Sequence, residues 1–135
     1  MRSRQLLFLA GAIFAVSFFL PAYSGSTGYA CFNFCLELIP KFPTESLFKW
    51  LYYSAFVLTN ITFVVMFGLW LLRVNRLKTR FIISSVAFFH VLSWFFINIR
   101  REDIGTLQVG YYLWLLAYAL LLASQISEAR ADHKA

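Results

Sequence analysis

Four apolar runs without Asp, Glu, Lys or Arg, at about 6–23, 50–72, 81–99 and 107–126, alternate with polar stretches along this chain. At about 1.5 Å of rise per residue, such runs cross or nearly cross a hydrocarbon core of about 30 Å as helices. The pattern predicts an all-α integral membrane protein, one domain built as an antiparallel bundle of four transmembrane helices, up-down-up-down. The first run follows Arg2 and Arg4 and leads into Ala22-Tyr23-Ser24, the outline of a signal peptide. It is long for one, and reads as an uncleaved first span.

The connections set the direction of the spans. Residues 73–80 hold Arg73, Arg76, Lys78 and Arg80 with no acidic residue among them. Positive charge is retained on the cytoplasmic side during insertion, so this loop predicts that both termini are cytoplasmic. The same cations are expected to meet anionic lipid headgroups. Arg2, Arg4, Arg130 and Lys134 then also lie inside, and Lys41, Lys49, Arg100 and Arg101 outside.

The outer loop, 24–49, opens on the turn formers Ser24 to Gly28 and closes on Pro40 and Pro43, with Thr44 placed to cap the next helix. Its middle, Tyr29–Ile39, has an ambiguous period. Phe32, Phe34, Leu36 and Leu38 alternate with Cys31, Asn33, Cys35 and Glu37 as in a strand. A lone strand would leave its backbone unpaired at the membrane surface, so a short outer interfacial helix or turn is expected.

Composition strengthens the membrane reading. Of 135 residues, 61% are hydrophobic and 13% charged, with a mean hydropathy of +0.70. Soluble domains carry about 25% charged residues. The net charge of +6 sits at the ends of apolar runs, which favours lipid headgroups over nucleic acid as its counterpart.

Little in the chain points to catalysis. Proton and ion pathways need buried ionisable groups, and the four runs contain none apart from His90. No metal cluster, phosphate loop or catalytic set can be assembled, and no cofactor is expected. Asn60-Ile61-Thr62 matches a glycosylation pattern but falls mid-span. His90, with Ser93 one turn on, Asn60 and Tyr118 fall at similar depth. They read either as interhelical glue of about 1 kcal/mol each or as a ligand or proton site. Tyr23, Trp50, Tyr52, Tyr53, Trp94, Tyr111, Tyr112 and Trp114 gather toward the outer face, against Trp70 alone on the inner. They form either an interfacial belt or an outer-leaflet groove. Gly11 and Ala15, and Ala119 and Ala123, have the spacing of close helix contacts. Cys31 and Cys35 are expected outside, as a disulfide, as buried thiols or as a redox pair.

These features favour a binding protein of a bacterial inner membrane. The leading expectation is an accessory or assembly subunit, paired with another membrane protein or with itself. The alternatives are a binder or carrier of an outer-leaflet lipid, quinone or other small hydrophobic ligand, and a thiol-disulfide enzyme using Cys31 and Cys35.

Overall fold

A computed structural model describes residues 3–41, 46–72, 77–100 and 104–132. They form helices α1 (Ser3–Phe19), α2 (Gly28–Leu38), α3 (Leu47–Leu71), α4 (Leu77–Arg100) and α5 (Val109–Asp132), with short strands β1 (Pro21–Tyr23) and β2 (Ser26–Thr27). Helices α3, α4 and α5 are long and apolar enough to cross a membrane; α1 is apolar but shorter, at 17 residues. Apart from the small ribbon, the class is all-α, with the helices that an integral membrane protein needs.

Several boundaries differ from those expected. Leu20 precedes Pro21, whose ring disfavours helical backbone at the residue before it. Helix α1 therefore ends at Phe19, and the remainder of the first run becomes β1. Helix α4 starts at Leu77, so Lys78 and Arg80 belong to a helix rather than to the loop; Arg73 and Arg76 lie outside the described residues. The polar tail continues α5 as far as Asp132. Ser46 caps α3, its hydroxyl accepting from Lys49 N at 3.3 Å; Thr44 lies outside the described residues. The ambiguous outer segment is helical, as α2, and Thr27 caps it by accepting from Ala30 N at 3.3 Å.

Strands β1 and β2 pair across Ser24 and Gly25, which have φ of 46° and 83°. Two successive positive φ angles suit the right-handed twist of a tight hairpin, and glycine meets that demand without strain. The ribbon continues onto the segment before α5. Ser24 N donates to Thr106 O at 2.8 Å, Gln108 N to Ala22 O at 3.0 Å, and Gly25 N to Gln108 Oε1 at 2.9 Å. These bonds fasten the end of α1 to the start of α5.

The two helices then pack along their lengths as antiparallel partners. Leu7, Ala10, Phe14 and Ser17 are the buried residues of α1. Steps of three and four make one continuous seam. On α5 the buried positions include Gly110, Trp114, Ala117, Leu121 and Ser124, in the same rhythm. Small residues recur every seven positions, at Gly110, Ala117 and Ser124 and at Ala10 and Ser17, so the backbones come close. A Cβ on Gly110 would lie 2.7 Å from Leu20 O and 2.8 Å from Pro21 O. The expected contact pairs sit beside this seam: Gly11 faces the Phe67 ring of α3, Ala15 is exposed, and Ala119 and Ala123 are only half-buried. In an almost wholly apolar run, residue size and not hydropathy marks the contact face.

Aromatic rings join α3 to this pair. Phe14 stacks on Phe63 at 3.9 Å between centroids, and Phe63 meets the Tyr118 edge at 5.2 Å. At the far end from the ribbon, Arg80 of α4 and Trp70 of α3 both bond Glu128 of α5, each at 2.9 Å. Arg80 is 3% exposed and Glu128 29%. Arg80 is thus a buried interhelical partner of Glu128. One turn further in, Gln125 Nε2 donates to Ser84 Oγ at 3.0 Å.

Two outcomes follow for unfolding of the detergent-solubilised protein. Gly110→Ala should destabilise it by about 1–3 kcal/mol, the usual cost of overpacking. Gly68→Ala, whose methyl would meet open space, should not. Glu128→Leu strands a buried guanidinium and should cost roughly 3 kcal/mol or more, most of it recovered when Arg80→Leu is added.

Candidate functional site

The ribbon and α2 sit over one end of the helices and roof a cavity of about 640 Å³. Its walls come from rings repeated at helical spacing. Tyr52 and Phe56 lie four apart on α3, and Tyr111 and Trp114 three apart on α5, so each pair shares a face. Trp94 of α4 stands among Tyr23, Tyr52, Tyr53 and Phe56, with centroids 5.3–6.2 Å away. Trp114 packs on Phe56 at 4.8 Å. Phe18 of α1, Phe34 of α2 and Phe48 of α3 add further rings, and Ile97 and Leu107 add branched aliphatic chains. Lys49 is the charged residue in the lining, which holds no Asp or Glu among the described residues.

Polar groups in the surrounding helices are mostly satisfied within their own helix. Asn60 Nδ2 donates to Phe56 O at 2.9 Å, Thr59 Oγ1 to Ala55 O at 2.7 Å, Ser93 Oγ to His90 O at 2.6 Å and Asn98 Nδ2 to Trp94 O at 2.8 Å. Such back-bonding to a carbonyl three or four residues earlier shelters a polar side chain in an apolar setting. Tyrosines supply the bonds between helices. Tyr118 donates to Thr59 O, and Tyr111 to Val91 O at 2.9 Å. Tyr52 lies 2.7 Å from Ser93 Oγ. Because the one Ser93 proton is directed to His90 O, Tyr52 is the donor there.

The tryptophans divide into two sets. Trp50 donates to Ile39 O and Trp70 to Glu128, each at 2.9 Å. Among the described residues, the indole N–H groups of Trp94 and Trp114 are buried without a partner. Leaving a buried donor unmatched costs about 1–3 kcal/mol. Both residues line the cavity.

Of the residues singled out by sequence, Asn60, Trp94, Tyr111 and Trp114 therefore meet at one cavity, together with Cys31 and Cys35. Ser93 and Tyr118 are not in its lining; they hold the helices that form it. His90 is half-buried, its ring 5.1 Å from Tyr52 and its Nε2 without a partner among the described residues. It packs with Tyr52, while Tyr118 is joined to the Asn60 turn through Thr59, so the three polar groups of similar depth form two separate contacts. The contributions of Phe18, Phe34 and Phe56 carried no signal in a chain with 16 phenylalanines; only the meeting of elements distant in sequence selects them. Among the described residues, no group of three His, Cys, Asp or Glu is arranged to hold a metal ion.

Cys31 and Cys35 share one face of α2 as free thiols, Cys35 buried and Cys31 half-buried. Burial pushes the Cys31 thiol up; burial first, then the neighbouring Cys31 charge, pushes Cys35 up to about 12. A reactive thiol needs a lowered pKa and access, and both cysteines have moved the other way. At pH 7–8 both are protonated. Maleimide labelling of the folded protein should therefore modify Cys31 first, with Cys35 slower by tenfold or more until denaturant is added. Intact mass without reductant reads this directly, and a mass that stays unchanged after denaturation would reveal a Cys31–Cys35 bridge instead.

Compared with known protein families, with curated proteins and with solved structures, the chain matches none.

Proposed function

We propose that this is a four-span protein of a bacterial inner membrane, with both termini cytoplasmic, that binds a small hydrophobic ligand in the cavity beneath α2 and acts without catalysis. The observation that carries this reading is the cavity of about 640 Å³, walled largely by aromatic rings. Ligand sites typically enclose about 300–1,000 Å³, mostly apolar, with a few polar groups that orient the guest. The ribbon and α2 cover the cavity on the side expected to face outward, so a guest would come from the outer leaflet or the space beyond it.

The other readings have less support. A docking role as an accessory subunit draws on the apolar outer faces of α3 and α4, such as Leu58, Val64, Val86 and Phe89, but lipid covers such faces equally well. A thiol-disulfide enzyme is opposed by the raised pKa of both cysteines.

Solvent extraction of protein purified in mild detergent is expected to release one small hydrophobic molecule per chain. The yield should fall at least fivefold in Trp114→Ala. Recovery of a stoichiometric partner protein with no such molecule would return the accessory-subunit reading. For the topology, reporters fused after Arg76 and after Ala135 should read cytoplasmic, and one after Lys41 outside. A periplasmic signal from the Arg76 fusion would reverse the orientation.

A further inference from the structure

We infer that the guest of this cavity is an amphiphile, an apolar chain ending in an anionic head that pairs with the Lys49 ammonium. This rests on the ligand-binding reading and narrows it. The order of residues along α3 carries the choice. Lys49, Tyr52, Tyr53, Phe56 and Asn60 all line the cavity and recur at steps of three and four, so they share one face of the helix. At about 1.5 Å of rise per residue, that stripe runs about 16 Å along the helix from its first turn. Its one charge stands at the beginning, and the rings follow. Elsewhere the lining mixes rings with Ile97, Leu107 and small residues such as Ala30 and Gly110, a wall that a flexible hydrocarbon chain can follow. Lys49 is exposed, and among the described residues its side chain meets no carboxylate. The described lining holds no Asp or Glu, and Glu37 of α2 lies outside it. The charge that a guest meets there is therefore positive, and beside apolar walls it is felt more strongly than in water. An anionic head gains a partner that a neutral guest leaves unpaired and that a cationic guest meets as repulsion. The hydroxyls of Ser24 and Ser26, on the ribbon, also line the cavity and can donate to acidic oxygens. A free fatty carboxylate and an acidic bilayer lipid both offer this chemistry.

The test is equilibrium binding of radiolabelled probes that share one chain and differ in the head: dodecanesulfonate, which stays ionised, dodecanol and dodecyltrimethylammonium. The protein is held in phosphatidylcholine nanodiscs, and empty nanodiscs of the same composition give the partitioning to subtract. Each probe is compared between variants, so differences in its own hydrophobicity cancel. Lys49→Gln should weaken dodecanesulfonate by about fivefold, the worth of an ion pair at a solvent-reached position. It should leave dodecanol unchanged and tighten dodecyltrimethylammonium. Lys49→Arg keeps the charge and should bind the sulfonate as the parent does. Ala30→Trp puts a large ring into the lining from an exposed position of α2, and should remove saturable binding of sulfonate and dodecanol alike. An unchanged unfolding midpoint shows that each variant is folded. Competition separates the two sources of the head. Displacement of the sulfonate by dodecanoate but not by phosphatidylglycerol in the disc assigns a free fatty carboxylate, and displacement by phosphatidylglycerol assigns a bilayer lipid; either supports the inference. It is overturned if Lys49→Gln binds the sulfonate as tightly as the parent, or weakens dodecanol equally. The ligand reading survives that result as long as Ala30→Trp still removes binding. If no probe binds above empty nanodiscs, or Ala30→Trp binds both probes as the parent does, both readings fall.

Discussion

The close approach of α1 to α5 is the constraint on which the rest of this molecule depends. It joins elements about a hundred positions apart in the sequence, and it is held twice. At one end the backbone of residues 22–24 bonds that of residues 106–108 through a β-bridge. Along the shaft, small residues at intervals of seven let the two helices nearly touch. The absence of a Cβ at Gly110 lets the carbonyls of Ser17, Leu20 and Pro21 lie against α5. The ribbon can turn back over the helix ends only because those ends meet there, and α2 follows directly from the ribbon. The roof of the cavity is therefore a consequence of how closely two helices pack.

A second regularity concerns polarity. In hydrocarbon a polar side chain must find a partner, and here most find one in their own helix, at the carbonyl one turn back. That arrangement leaves shape, small residues and stacked rings to decide which helices meet. The phenol groups of Tyr111 and Tyr118 are the main exceptions near the cavity, and each reaches a backbone carbonyl of a neighbouring helix. Two indoles follow neither pattern, and both stand at the same cavity.

The class of fold was legible because length and charge suffice for it: a run such as 50–72 with no ionisable group has few other uses. The face by which each helix contacts its neighbours was not. Periodicity reveals a buried face only when the other face is polar, and here the outward face is apolar too. Gly11–Ala15 and Ala119–Ala123 satisfied the spacing rule for close packing yet lie beside the real seam. For the same reason segmentation by charge misplaced Arg80 and Glu128. Both stand just beyond an apolar run, and the residues that draw them inward lie 48 positions apart. The cavity was legible in part. The outer-face excess of Trp and Tyr pointed to Trp94, Tyr111 and Trp114, whereas Phe18, Phe34, Phe48 and Phe56 were indistinguishable from the other phenylalanines.

The pairing of Arg80 with Glu128 also has a meaning in time. A chain is made from its N-terminus, and α4 enters the membrane before α5 exists. Until Glu128 arrives, the Arg80 guanidinium lacks the carboxylate it pairs with in the folded chain. The seam of α1 waits for the same helix, because Ala10 and Ser17 have their complement in α5. Two unfinished surfaces, one on α1 and one on α4, are closed by α5. Arrival of α5 is then the step that turns a set of separately inserted helices into one structure, and a chain cut short before it leaves a cation and a cleft facing the bilayer.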